Sequence, residues 1–200
     1  GAKEKRTLDP IQSQKEKTEP GSVFFWLKFI QWVFNQMKKA LVVEGGGSRG
    51  VFSFGVIDSF IQASFNPFNL HLGVSNGSVV QLWYILNVSN YNLEKMLFSA
   101  SKKYVNFYNI FRNKSVMDFE KLYEDAESIF PIDFARLQNN LQNKNFFVVI
   151  SDAHSGHPEY IELSENNYVN EMLASGSLPV LMKNPVIIDG NRKYDGGITD

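Results

Sequence analysis

The stretch that most constrains the fold is Leu41-Val42-Val43-Glu44-Gly45-Gly46-Gly47-Ser48-Arg49-Gly50. Four residues of strand character run straight into three consecutive glycines. Beyond Gly50 the apolar residues Val51, Phe52, Phe54, Val56, Ile57, Phe60 and Ile61 recur at helical spacing. The pattern predicts a strand, a glycine turn and a helix start. Such a turn presents several backbone N–H groups at the positive end of a helix dipole, so it can hold a negative charge, either fixed on a bound anion or developing on a reacting atom.

Composition narrows which charge that is. With 200 residues, 44% hydrophobic and 20% charged, the chain has material for one globular domain with a sizeable core. Twenty basic against 21 acidic residues leave a formal net charge of -1, which gives no general field for nucleic acid, so no nucleic-acid partner is expected. The absence of Cys removes disulfides and thiolate metal clusters, and fits a reducing, cytoplasmic compartment.

Three segments follow one another. Residues 1–22 are polar and rich in Lys, Glu and Pro, and are expected to form a disordered arm. In residues 23–39 the aromatics Phe24, Phe25, Trp26, Phe29, Trp32 and Phe34 occupy a wide arc opposite Lys28, Gln31, Asn35, Lys38 and Lys39, which predicts an amphipathic helix. It is too short and too interrupted to span a bilayer, leaving a packing helix or a peripheral membrane contact as its two roles. Residues 40–200 form the remaining domain.

Within that domain a second turn stands out. Leu70 to Val74 reads as a short strand, and Gly73-Val74-Ser75-Asn76-Gly77 matches G-x-S-x-G at its junction with a helix carrying Val79, Val80, Leu82, Trp83, Ile85 and Leu86. The spacing has a mechanical cause: the backbone folds back so tightly at the serine that positions two residues to either side must be small. Ser75 is thereby a candidate nucleophile, exposed at a helix N-terminus that favours developing negative charge.

A serine nucleophile needs a base, and there are three histidines to consider. His71 shares a strand with Ser75 and reads as a core residue. His154 and His157 fall in a turn between strands predicted at 146–150 and 160–163, with no further ligand pattern to suggest a metal. A catalytic His beyond Asp200 would fit the order of a Ser-Asp-His triad. The other candidate base is Asp195, in Asp195-Gly196-Gly197, after a predicted hairpin of Val186 to Ile188, the turn Asp189-Gly190-Asn191 and Lys193-Tyr194.

The glycine block Gly45, Gly46, Gly47, Ser48, Arg49, Gly50, then Gly73 to Gly77, then Asp195-Gly196-Gly197, in that order, resemble the three signature blocks of the patatin-like phospholipase family. Ala174-Ser175-Gly176-Ser177-Leu178-Pro179 is similar to that family's Ala-Ser segment ending in Pro, and Lys114 to Phe119 with Pro131 to Phe134 resembles its bacterial branch. The resemblance implies a three-layer α/β/α sandwich with a mostly parallel central sheet. It also implies a serine acyl hydrolase acting on lipid esters without a cofactor, with Ser75 as nucleophile, Asp195 as base and the backbone of Gly45, Gly46 and Gly47 as oxyanion hole. Arg49 would shape the loop. Asn76 stands where the family commonly has Ala, so its amide is expected to perturb the elbow or contact substrate. The chain stops at Asp200, where members of the family continue with further sheet and helix, so the domain is expected to lack a C-terminal flank.

Two rival classes use the same residues. Gly45-x-Gly47-x-x-Gly50 after a strand fits a dinucleotide-binding turn, but the acidic residue expected about 20 positions on is missing between Asp58 and Glu94. A non-catalytic membrane-associated scaffold of the same fold would retain the blocks without the reaction. In the middle, residues 87–145 alternate helical apolar patches with polar joints, reading as outer helices or a lid. Tyr104, Phe107, Tyr108, Ile110 and Phe111 form an aromatic stripe suited to core or to an acyl groove.

Overall fold

The computed structural model describes residue 23 and residues 26–30, 38–88, 103–109, 111–112, 114–118, 121, 124–125, 132–179, 181–182 and 184–200. The expected arm at 1–22, residues 31–37 of the expected amphipathic helix and much of the middle region, Ile110 included, lie outside the described residues. The chain divides into two compact units, residues 1–38 and 39–200. In the first, Val23 and residues 26–30 are helical, and the rings of Trp26 and Phe29 meet edge to face with centroids 5.9 Å apart. Among the described residues no helix is long and apolar enough to cross a membrane.

The second unit alternates strands and helices in the α/β manner the sequence predicts. Its elements are β1 (Ala40–Val43), α1 (Gly50–Gln62), β2 (Leu70–Val74), α2 (Asn76–Ile85), α3 (Phe134–Asn140), β3 (Asn145–Asp152), β4 (Pro158–Glu162), α4 (Tyr168–Ser175), β5 (Val186–Ile188) and β6 (Asn191–Asp195). β1, β2 and β3 are parallel neighbours, β4 and β6 run antiparallel to β3, and β5 runs antiparallel to β6. Four of the six strands, β1, β2, β3 and β5, therefore point the same way. The β5–β6 reversal occurs at Asp189 and Gly190, with φ of 50° and 77°, the double left-handed geometry that an Asp-Gly hairpin turn supplies.

The register of β3 decides what lies next to what. Phe147 to Val149 pair with both β2 and β4, and Ile150 and Ser151 pair with both β4 and β6. Since a strand has two hydrogen-bonding edges, β2 and β6 must share the edge that β4 does not use. Val74 at the end of β2 is opposite Val149, and Asp195 at the end of β6 is opposite Ile150. Two strands running in opposite directions thus meet C-terminus to C-terminus along one edge of β3. This junction positions the site.

Helix α2 is buried nearly all round, because it serves two apolar clusters. Val80, Trp83 and Tyr84 pack with Val43 and with Phe54 and Ile57 of α1. Leu82 and Ile85 pack with Leu137, Phe146, Val148, Ile150, Met172 and Ala174. A helix apolar on every face is stable only when enclosed in this way. Gln81, one of its buried polar residues, donates to the carbonyls of Leu41 and Leu72 at 2.7 and 3.2 Å and lies 2.9 Å from Nδ1 of fully buried His71. With both amide protons so committed, the Gln81 oxygen accepts from His71, which fixes the imidazole proton on Nδ1. Burial pushes the His71 pKa down, so this histidine is a neutral tie between β2 and α2.

Candidate active site

Ser75 occupies the single residue between β2 and α2, with φ 52° and ψ -128°. For a residue with a Cβ this is strained backbone, and it exists because both flanks are fixed. The small neighbours are required by contact. A Cβ on Gly73 would lie 2.5 Å from Cα of Ser78, and one on Gly77 would lie 2.0 Å from the carbonyl oxygen of Val43. Any side chain at either position would drive the elbow off the sheet.

The glycine run lies beyond the last β1–β2 pair, Val43 with Gly73. Gly45 presses on the serine, since a Cβ there would come 2.8 Å from Cβ of Ser75 and 3.6 Å from its Oγ. Gly47 has φ +54° and opens a 3-10 turn, Gly47–Arg49, that leads into α1. Ser48 and Arg49 are exposed on this turn, and the Arg49 amide donates back to the Gly46 carbonyl at 3.0 Å. The Nδ2 of Asn76 donates to the Gly47 carbonyl at 2.7 Å, tying the glycine loop to the start of α2. Gly50 leaves room for it, because a Cβ there would fall 1.9 Å from Asn76 Nδ2.

Asp195 comes to the same place from β6. Its carboxylate accepts the Gly197 amide at 2.9 Å and has the Ser75 side chain as a neighbour that favours its charged form. Only 3% of Asp195 is exposed. Burial raises its pKa above the ordinary carboxylate value, and the Ser75 side chain and the Gly197 amide offset part of that rise. Gly196 rests on the sheet, where a Cβ would sit 2.4 Å from the Val149 carbonyl oxygen. A side chain there would push Asp195 away from Ser75.

The histidines lie elsewhere. His154 and His157 are exposed in the β3–β4 turn, where Asp152 Oδ1 accepts the amides of His154 and Ser155 at 3.0 and 2.7 Å. Among the described residues no three carboxylates or histidines are grouped to hold a metal. Of the aromatic stripe, Tyr104 is buried while Tyr108 and Phe111 are exposed.

Three residues of the site were not singled out in the sequence reading. Ser175 receives the Ser75 amide at 2.8 Å, Ser177 offers its carbonyl to the Asp195 amide at 3.0 Å, and Ser151 donates to the Asp195 carbonyl at 2.7 Å. For Ser175 and Ser177 the signal was their segment, 174–179. Ser151 carried no local signal.

A sequence model described as patatin-like phospholipase matches residues 41–200, which include every block of this arrangement. The chain belongs to the patatin-like phospholipase family. It is also 30% identical over 171 residues to the uncharacterized protein YjjU of Escherichia coli (strain K12), an alignment covering 84% of this chain and 47% of that protein. The chain thus spans about half the length of the curated relative it matches. The mixed, mostly parallel sheet with its helices accords with that family.

Proposed function

We propose that this protein is a serine acyl hydrolase that cleaves carboxylic ester bonds of lipids through a Ser75–Asp195 dyad. The observation that carries the reading is that β2 and β6 end side by side on β3, which brings Ser75 against the buried carboxylate of Asp195. A carboxylate with an ordinary pKa of about 3.9 is a weak base for an alcohol at neutral pH, and burial moves Asp195 in the useful direction.

In the first half-reaction Asp195 takes the Ser75 proton as Oγ attacks the ester carbonyl. The tetrahedral oxyanion is held by amides of the glycine run at Gly45, Gly46 and Gly47, together with the N-terminus of α2. Collapse breaks the C–O bond, and Asp195 returns the proton to the departing alcohol, leaving an acyl-Ser75 ester. Water then attacks that ester, Asp195 takes its proton, and the fatty acid leaves as Ser75 recovers the hydrogen. The contact of Gly45 with Ser75 and the tie from Asn76 to Gly47 hold the glycine run against the nucleophile, which supports an oxyanion-hole role over nucleotide binding.

A fluorophosphonate probe tests the dyad. The intact protein is expected to be labelled at Ser75, and Ser75→Ala to lose both labelling and ester hydrolysis. Undiminished labelling of Ser75→Ala would remove the hydrolase reading.

The N-terminal segment 23–39 is proposed as a peripheral membrane contact that brings the site to lipid, since Trp26, Leu27, Phe29 and Ile30 are all exposed on one short helical stretch. Liposome flotation of the intact protein, with and without residues 1–37, is expected to differ. Equal flotation would discard the contact.

A further inference from the structure

Resting on the dyad reading, we infer that Ser175 is a positioning residue for the nucleophile. Together with the carbonyl of Ser177 it makes the end of α4 the element that sets Ser75 and Asp195 at working distance.

The amide of Ser75 is awkwardly placed. It follows the last residue of β2 and precedes α2, and the backbone at φ 52° turns it away from both ladders. A buried amide needs an acceptor, and Ser175 Oγ supplies one at 2.8 Å. Ser175 is itself fully buried and spends its only proton on the Val149 carbonyl at 2.8 Å. Ser78 Oγ, 3.1 Å away, must therefore be the donor in the Ser78–Ser175 contact. The direction of every bond in this network is thus determined, and all converge on the point of β3 where β2 ends and β6 arrives.

Two residues along, the Ser177 carbonyl accepts the Asp195 amide at 3.0 Å. The same short stretch accordingly holds the amide of the nucleophile and the amide of the base. It is stiff, because Gly176 N–H bonds back to Met172 and Leu173 and Ser177 N–H to Ala174 as α4 closes. The Ser177 hydroxyl is buried without a hydrogen-bond partner, so the carbonyl is the working group there. Without the Ser175 acceptor, the strained Ser75 backbone would lose the contact that favours its unusual φ and relax, carrying Oγ off the Asp195 carboxylate. Acyl-chain binding would be untouched, so the loss should fall on kcat.

The experiment is a kinetic series on the intact protein with p-nitrophenyl butyrate, alongside fluorophosphonate labelling. Ser175→Ala is expected to lower kcat about 10–100-fold with KM unchanged. Ser175→Cys, similar in size but a weaker acceptor, should fall between Ala and wild type, and it reads the effect if the Ala variant does not fold. Ser78→Ala loses a hydrogen bond of the same buried network yet leaves the Ser75 amide bonded, so its kcat should stay within about twofold of wild type. Wild-type kcat in both Ser175 variants, or an equal fall in Ser78→Ala, would overturn the positioning role while a dead Ser75→Ala left the dyad standing. Hydrolysis persisting in Ser75→Ala would bring down both.

Discussion

Asp152 and Asp195 belong to one antiparallel pair of strands, two register steps apart, and both are nearly buried at 9% and 3% exposure. Their pKa values move in opposite directions. Asp152 faces Lys193, whose Nζ lies 2.8 Å from its Oδ2, and also accepts the amides of His154 and Ser155. The lysine contact and those amides hold its carboxyl well below the usual range. Asp195 receives the Gly197 amide, no cation among the described residues pairs with it, and burial pushes it up. Burial alone therefore does not make a carboxylate reactive. What distinguishes the two is a full counter-charge, which keeps Asp152 ionised as a structural tie, whereas its lack leaves Asp195 able to exchange a proton.

The sharpest way to break this contrast is Asp195→Asn, for which ester hydrolysis is expected to fall about 10²–10⁴-fold. Stability should move the other way. A folded pKa raised above the unfolded value of about 3.9 means that this group's contribution is fully present below that value and is lost as pH rises through the folded pKa. At pH 7 the wild type therefore carries the cost of a buried charge, and Asn, which still accepts the Gly197 amide, relieves it. Urea denaturation should show the variant at least as stable as wild type at pH 7, with the advantage gone near pH 3. A variant that unfolds earlier at pH 7 would make Asp195 a structural carboxylate like Asp152. The same shift puts the acid limb of the wild-type kcat profile above the ordinary Asp range.

Lys193→Met probes the other side of the comparison. Burial works against the Lys193 charge, but Asp152 and Glu159 outweigh it and raise its pKa. Removing it strands Asp152 beside Glu159, whose two oxygens also lie 2.8 and 2.7 Å from Nζ, and Tm at pH 7 is expected to drop by roughly 5–10 °C. Because the depressed Asp152 pKa contributes stability above about pH 3.9 and loses it as pH falls toward the folded value, the gap between variant and wild type should narrow in acid. The acid limb of kcat should stay where it is. A limb that moved with Lys193 would mean that the two carboxylates share one electrostatic site.

The sequence disclosed the local half of this arrangement and hid the long-range half. The glycine turn, the elbow at Ser75 and the Asp189-Gly190 reversal were legible because each is set by sterics over a few residues, and sterics select small or left-handed residues in plain view. That Ser75 and Asp195 meet depends on β2 and β6 sharing one edge of β3, a matter of register that no spacing encodes. The Asp152–Lys193 tie is invisible for the same reason, its partners lying 41 residues apart. The tie from Asn76 to Gly47 is hidden in the same way, since only the folded loop places that carbonyl against the amide, with Gly50 leaving it room. Ser175 meets the Ser75 amide across 100 residues of chain, a contact its segment does not encode.

Ser151→Ala should give the smallest effect and the finest test. Ser151 sits between the two aspartates' positions on β3, donating to the Asp195 carbonyl at 2.7 Å and lying 2.7 Å from Thr199 Oγ1. It touches the backbone of Asp195 and not the carboxylate. Its loss is expected to cost about 1 kcal/mol of stability, the ordinary worth of one hydrogen bond, and to lower kcat far less than Asp195→Asn. The acid limb should not shift, since Ser151 is not among the groups that set the Asp195 pKa. A limb displaced toward the ordinary carboxylate range would show that the backbone contact keeps Asp195 buried, and the contrast with Asp152 would then rest on strand placement as much as on the missing cation.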